Sequence, residues 1–245
     1  MTVSVAPPAG WRLRVHESLS STSDLLKQLA EAGEPEGLAV LARRQSGGRG
    51  RDGRVWESPV GNLYFSLLLR PGGPARDAGK WALLAALVMA EGVAPFTPNP
   101  AELRLKWPND VLLGEAKLAG VLCESAATPA GELDWLIMGI GVNLAAPPAL
   151  PDRPTASLGA IPPEQVAVSM LFALERLRGL WRVEGFDAVR AAWMARGPAL
   201  QAPLTLRGGR SGHYAGLAED GSLLLATEGR VQAVTTGEVA YREAG

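Results

Sequence analysis

Residues 38–69 admit one kind of element. Two apolar runs, at 38–43 and 63–69, read as strands, the second buried. Between them lies Gly48-Arg49-Gly50-Arg51-Asp52-Gly53-Arg54-Val55-Trp56. Gly48, Gly50 and Gly53 make a formal G-x-G-x-x-G. A dinucleotide fold needs a helix to start at the last glycine, so that the pyrophosphate rests on its N-terminus. Here Pro59 and Gly61 follow, and both work against a helix. No G-x-x-x-x-G-K-[ST] occurs. The stretch therefore predicts strand–loop–strand, neither a Rossmann unit nor a P-loop.

The loop alternates glycine with arginine. Glycine lets backbone approach a ligand closely. Arginine offers planar, permanently charged forks that match phosphate and carboxylate oxygens. A solvated hairpin loop explains the same residues. Lysine usage adds weight to the ligand reading: of 24 Lys plus Arg, only Lys27, Lys80, Lys106 and Lys117 are lysine. Where arginine is the default cation, a retained lysine suggests a need for a compact ammonium. Two of the four stand in dense motifs, Lys106-Trp107-Pro108-Asn109-Asp110 and Lys117-Leu118-Ala119-Gly120. Chance placement is the alternative.

The net charge of −1 gives no global field toward nucleic acid or membrane. Locally, Arg43, Arg44, Arg49, Arg51 and Arg54 surround a single acid, Asp52. That suits a small anionic ligand better than a long polyanion. Cys123 is the only cysteine, which excludes an intrachain disulfide and a thiolate zinc site; in its apolar run it reads as an inert buried thiol. His16 and His213 sit in no triad or metal motif, and no metal site is expected in the protein itself. The apolar run at 81–90 is too short to span a bilayer, and no signal peptide is visible, so a cytoplasmic protein is expected.

Along the chain, a strand at 11–15 precedes Ser21-Thr22-Ser23, which can cap a helix at 24–31, face a ligand, or do both. A buried helix is expected at 79–92 and strands at 103–106, 111–113, 118–123 and 135–142. Residues 145–154 hold four prolines and read as a loop; helices follow at 163–183 and 186–195. The fold class is therefore α+β: a mixed sheet with helices over residues 1–198. From 199 to 245 the pattern changes to short strands at 204–207, 214–217, 223–226, 231–235 and 239–241. Gly208-Gly209, Asp220-Gly221 and Glu228-Gly229 mark turns between them. This predicts a small C-terminal barrel, marginal alone and packed on the main domain.

The Gly/Arg loop with Gln45, then Lys106 to Asp110, Lys117 to Gly120 and Gly139-Ile140-Gly141-Val142-Asn143, resemble the biotin protein ligases in order and spacing. Asp220-Gly221 and Thr236-Gly237-Glu238-Val239 resemble that family's C-terminal SH3-like barrel. The resemblance covers nearly the whole chain. It implies activation of biotin by ATP to biotinyl-5′-adenylate, with Mg²⁺, then transfer of biotin to one lysine of a carboxyl carrier protein or domain. Neither nucleic acid nor membrane is an expected partner, and the protein would be a monomer or homodimer. With the first expected strand at 11–15, the helix-turn-helix of regulatory members is not expected.

The resemblance also implies roles. Ser21, Thr22, Ser23, Gln45, Gly48, Arg49, Gly50, Arg51, Lys117 and Gly120 would bind biotin. Arg51, Arg54, Trp56, Lys117 and Asn143 would bind the nucleotide. Lys117, Arg49, Arg51 and Asp110 would serve catalysis. Ser23 departs from the family's usual Asn. Asp110 reads equally as a turn-closing residue. Trp107 reads as core, and Trp56 divides between core and ligand contact. A lipoate or octanoate transferase, a nucleic-acid-binding protein and a biotin-binding module without ligase activity are the competing readings.

Overall fold

The computed structural model describes residues 6–150 and 153–241. The outer ends of the expected 1–198 and 199–245 units, and positions 151–152 of the proline-rich loop, lie outside the described residues. The main sheet has seven strands: β1 (Arg12–His16), β2 (Leu38–Ala42), β3 (Leu63–Leu69), β4 (Leu103–Lys106), β5 (Asp110–Leu113), β6 (Ala116–Ala127) and β7 (Leu133–Val142). Their order is β1-β2-β3-β7-β6-β5-β4. Only β1 and β2 are parallel, joined by helix α1 (Thr22–Glu31); all other neighbours are antiparallel. Helix α2 (Ala78–Val93) carries the chain from β3 to the far edge.

Side chains of a strand alternate between faces, and this decides where a site can form. Leu63, Phe65, Leu67 and Leu69 of β3, with Met138, Ile140 and Val142 of β7, join the main core. That core includes α2, α3 (Pro163–Glu184) and α4 (Phe186–Met194). Leu68, Trp135 and Ile137 pack instead with Leu26 and Ala30 of α1. Alternation therefore puts Tyr64, Ser66, Gly139 and Gly141 on the α1 face as well. The helix covers one end of that face, including Ser66, and leaves Tyr64, Gly139 and Gly141 under a cleft.

Residues 75–96 run as one helical stretch that is long and apolar enough to cross a bilayer. The run at 81–90 looked too short because the helix and its flanking single turns extend beyond it. Its position explains its composition: α2 is packed between the sheet and helices α3 and α4, with Leu84 to Met89 buried on every side.

Several boundaries differ from expectation by one to four residues, two of them with a clear cause. Helix α1 begins at Thr22, with Ser21 as its N-cap. Strand β6 runs to Ala127, four residues past the expected end, because its hairpin with β7 continues through Ala127↔Leu133. Polar Glu124 and Ser125 hid that extension.

The last five strands, β8 (Pro203–Leu206), β9 (Ser211–Leu217), β10 (Leu223–Thr227), β11 (Arg230–Val234) and β12 (Val239–Tyr241), form a separate antiparallel sheet. Its order is β11-β10-β9-β8-β12. Its buried Leu204, Tyr214, Leu217, Leu223, Leu225 and Val239 belong to the same apolar cluster as the main core. The contact is close at Gly221: a Cβ there would lie 3.0 Å from Leu83 Cδ1. The Trp107 indole N–H donates to the Gly221 carbonyl at 3.2 Å. Trp107, 3% exposed, is thus a core residue that seats the C-terminal sheet; its peptide bond to Pro108 is cis.

Candidate active site

The open end of the α1 face holds a cavity of about 180 Å³. Its floor is partly bare backbone. A Cβ on Gly141 would fall 2.4 Å from Cε2 of Trp56, and one on Gly139 would fall 2.4 Å from Ser23 Oγ. The indole and the hydroxyl therefore lie directly on β7.

One wall is the start of α1. Ser21 Oγ accepts from the Asp24 N–H at 3.3 Å, which closes the helix N-terminus. Thr22 donates to Gln45 Oε1 twice, from its N–H at 2.8 Å and its hydroxyl at 3.1 Å. Its hydroxyl is also 2.7 Å from Ser66 Oγ, which is 3.0 Å from Ser23 Oγ. Gln45 Nε2 donates onward to Ser58 Oγ at 3.4 Å. This wall is polar and uncharged. The Ser/Thr cluster both caps the helix and lines the cleft.

The Gly/Arg loop is an irregular hairpin, not a helix start. Gly50 N–H donates to the Arg54 carbonyl at 2.8 Å and Trp56 N–H to the Gly48 carbonyl at 2.9 Å. A single 3₁₀ turn spans Arg51–Gly53, with Asp52 and Gly53 at φ of 56° and 73°. Gly50 lines the cleft; Gly48 does not. A Cβ at Gly48 would come 2.4 Å from the Trp56 carbonyl oxygen, so this glycine is needed for the hairpin's own closure.

The other wall is cationic. Lys117 Nζ lies 2.6 Å from Asp110 Oδ1, with only 15% and 8% of the two side chains exposed. A register shift between β5 and β6 sets this pair: Val111 faces Ala119 while Leu112 faces Lys117. The bulge turns Lys117 toward Asp110 and Gly120. Lys117 Nζ also stands 5.5 Å from the Trp56 ring centroid. Arg49 reaches Asp24 at 2.5 Å and Glu124 at 3.2 Å. Arg51 donates to Asn109 Oδ1 at 3.4 Å and to the Gly237 carbonyl at 3.1 Å. Arg54 forms a two-pronged pair with Glu238, whose Oε1 also takes Arg153 at 2.7 Å. Asn143, 2% exposed, donates from Nδ2 to the Lys117 carbonyl at 3.2 Å.

Electrostatics follow this geometry. Burial works against the Glu238 carboxylate, but hydrogen bonds and charges from Arg54 and Arg153 outweigh it and hold its pKa at about 2. Lys106 is pushed down, chiefly by burial; the nearby charges of Arg153 and Lys117 add to this and Asp110 opposes it. Cys123 is partly rather than fully buried, a correction to the buried thiol expected from sequence; desolvation still raises its thiol to about 12, with Glu124 contributing, which makes it a poor nucleophile.

The structure brings Ser21, Thr22, Ser23, Gln45, Arg49, Gly50, Arg51, Arg54, Trp56, Asp110, Lys117, Gly120 and Asn143 to one cleft. Sequence reasoning missed Asp24, Ser66, Glu124 and Arg153, and gave Glu238 no place in the site. Ser66 carried a signal: it is a hydroxyl inside an otherwise apolar strand, and it is fully buried. Glu238 stood in a motif that resembles the family's C-terminal barrel, but nothing local tied it or Arg153 to the cleft, because they meet only through the fold.

A polar, uncharged pocket leading into a group of cations is built for a ligand with a neutral head and an anionic tail. Residues 15–143 match the biotin/lipoate A/B protein ligase family, and the chain belongs to that family. Within it, the similarity is to biotin ligases. The chain is 36% identical to the biotin–[acetyl-CoA-carboxylase] ligase of Paracoccus denitrificans, over 82% of this chain and 89% of that one. It is 32% identical to the enzyme of the same name from Mycobacterium tuberculosis, over 95% and 90%. The biotin protein ligase of Aquifex aeolicus in complex with biotin and ATP superimposes with a TM-score of 0.77 at 28% identity, covering 95% of this chain and 99% of that one.

Proposed function

We propose that the protein joins biotin to ATP and then passes biotin to one lysine of a carboxylase's biotin carrier domain. One observation carries this: an uncharged hydroxyl–amide wall runs into a wall bearing Lys117, Arg49, Arg51, Arg54 and Arg153. The ring of biotin belongs at Thr22, Ser23 and Gln45, with Ser66 bracing the two hydroxyls from behind, and its carboxylate at Lys117. The nucleotide belongs against Trp56 and Asn143, with its phosphates toward Arg51, Arg54 and Arg153.

In the first step a biotin carboxylate oxygen attacks the α-phosphorus, an acyl–phosphate bond forms, and pyrophosphate leaves with the bonding electrons. Two anions must meet, so fixed positive charge at the α-phosphate matters more than a protein nucleophile. In the second step the lysine amine attacks the acyl carbon, AMP leaves, and the amine loses a proton. Asp110, beside Lys117, is placed to steer that amine.

Mg²⁺ would arrive on the triphosphate and neutralise the leaving pyrophosphate. The described residues hold no group of three metal-ligating side chains, so the phosphates would supply most of its ligands, with Asp110 the carboxylate beside Lys117. The same proposal includes a catalytic domain to residue 198 and a C-terminal SH3-like barrel from 199, supported by five closely spaced antiparallel strands. It also includes a cytoplasmic location.

The test is pyrophosphate release from ATP with biotin, octanoate or lipoate, followed by addition of an isolated biotin carrier domain. Release should require biotin, and the carrier should gain one biotin. Release with octanoate or lipoate but not biotin would refute the reading. So would tight biotin binding with no release.

A further inference from the structure

Lys106 opens the first dense motif and is one of the chain's few lysines, yet the reaction described above gives it no task. The cleft runs along the order of the strands. Helix α1 packs on β2, β3 and β7, Lys117 stands on β6, and β4 is the last strand of the sheet. Leu103 and Leu105 of β4 enter the main core. Alternation therefore turns Lys106 to the cleft face, opposite Asp110 across the β4–β5 hairpin. There a second cavity, of about 70 Å³, opens beyond the Lys117–Asp110 pair. It is lined by Lys106, Asp110, Glu115, Lys117, Arg153 and Pro154. Lys117 N–H donates to the Pro154 carbonyl at 2.9 Å and Ala156 N–H to the Lys117 carbonyl at 2.9 Å, which holds Arg153 at the rim.

Three cations meet in this cavity. Lys117 pairs with Asp110, and Arg153 with Glu238. The Lys106 ammonium makes no hydrogen bond or ion pair among the described residues. It is half-buried, and burial pushes its pKa down. A cation held in that state carries a desolvation cost that an anion in the cavity would offset.

We propose that Lys106 is a catalytic residue of the activation step: in this small cavity it takes the β- and γ-phosphates and stabilises pyrophosphate as it leaves. This rests on the function proposed above. Attacking and leaving oxygens at phosphorus lie roughly in line. Biotin reaches Lys117 from the α1 side, so pyrophosphate departs on the opposite side, toward β4. As the carboxylate oxygen bonds to the α-phosphorus, the bond from that phosphorus to the bridging oxygen breaks, and its electron pair stays on pyrophosphate. Charge grows on that oxygen, and an ammonium already in place meets it without reorganisation. The cavity is less than half the 180 Å³ of the main cleft, which suits a phosphate group rather than a nucleoside. Transfer to the carrier releases AMP and no pyrophosphate, so Lys106 has no part in the second step.

The experiment separates the two half-reactions in the wild type, Lys106→Met and Lys106→Arg. Pyrophosphate release from ATP and biotin follows activation. Preformed biotinyl-5′-adenylate with an isolated carrier domain follows transfer. Calorimetry gives the Kd of magnesium pyrophosphate for each protein. Lys106→Met keeps the apolar stem and removes the charge. It should slow activation roughly 10²-fold and raise the pyrophosphate Kd about tenfold, while transfer stays within about twofold of wild type. Its unfolding temperature should not fall, because the lost ammonium had no ion pair to break. Lys106→Arg keeps the charge and should recover part of both losses. Equal slowing of the two half-reactions would mark a structural role and overturn the proposal. Pyrophosphate that binds neither wild type nor Lys106→Met, or binds both equally, would overturn it too. If the wild type releases no pyrophosphate with biotin, the proposed activity fails, and the pyrophosphate Kd comparison still decides whether Lys106 holds that anion.

Discussion

Replacing Lys117 should separate catalysis from stability, because the structure gives this ammonium two tasks. It is placed to meet the biotin carboxylate and α-phosphate, and it neutralises Asp110, which is 6% exposed, across 2.6 Å. In Lys117→Ala the carboxylate keeps Arg153 at 3.7 Å, so it is weakened rather than left alone. The stability loss should match one hydrogen bond to a charged group, about 1.5–3 kcal/mol, below the 3–5 kcal/mol expected, roughly, for an isolated buried charge. Adding Asp110→Asn should recover most of it. The rate is a different matter. Loss of one preorganised donor at developing charge should slow adenylate formation roughly 10²–10³-fold, and the second substitution should not restore it. Lys117→Arg should recover little, because the site is narrow. The Cβ position on Gly120 lies 3.3 Å from Nζ, and the Trp56 ring stands on another side. A planar fork cannot occupy the place of a compact ammonium there. Pyrophosphate release at saturating biotin and ATP gives the rate, and thermal unfolding gives the stability. A near-normal rate for Lys117→Arg, or unfolding loss in Lys117→Ala without rate loss, would show that Lys117 serves only the Asp110 pair.

Three other perturbations have expected outcomes. Gly141→Ala puts a methyl group 2.4 Å from the Trp56 indole, on a strand paired on both sides. Trp56 must leave the floor, at a cost of about 1–3 kcal/mol from overpacking; thermal unfolding at the wild-type temperature with normal nucleotide affinity would contradict this. Arg51→Gly removes the contacts to Asn109 and Gly237 and should let the loop open by about 1–3 kcal/mol, so that adenylate forms but escapes. Bystander proteins should then become biotinylated, and labelling confined to the carrier at the wild-type rate would refute a retention role for this loop. Glu238 has its folded pKa lowered from 4.5 to about 2. Its stabilising contribution is therefore present above about pH 4.5 and lost as pH falls toward 2. The gap in unfolding temperature between wild type and Glu238→Gln should narrow over that window, and a gap independent of pH would refute the assignment.

Much of this protein was legible in the residues alone because the signals were local. Strand β3 follows from an unbroken apolar run, β4 from two-residue alternation and helix α3 from 3.6-residue periodicity, all of which depend only on near neighbours. Pro59 and Gly61 sufficed to separate a hairpin from a dinucleotide-binding helix. The dense motifs announced Lys117, Asp110 and the Gly/Arg loop because each packs several chemically demanding residues into a few positions.

The tertiary structure decided what depends on distance in space. Strand alternation told which residues share a face, but only the placing of α1 covered Ser66 and left Tyr64, Gly139 and Gly141 as a floor. The place of the Trp56 indole on the cleft floor turned on Gly141, a residue 85 positions away that leaves room for it. Gly48, expected at biotin, also closes the hairpin, and only the folded loop brings the Trp56 carbonyl against it. Glu238 looked like part of a turn in a separate sheet. Its meeting with Arg54 spans 184 residues. No local pattern encodes such a pair, because the packing of two independently patterned sheets creates it.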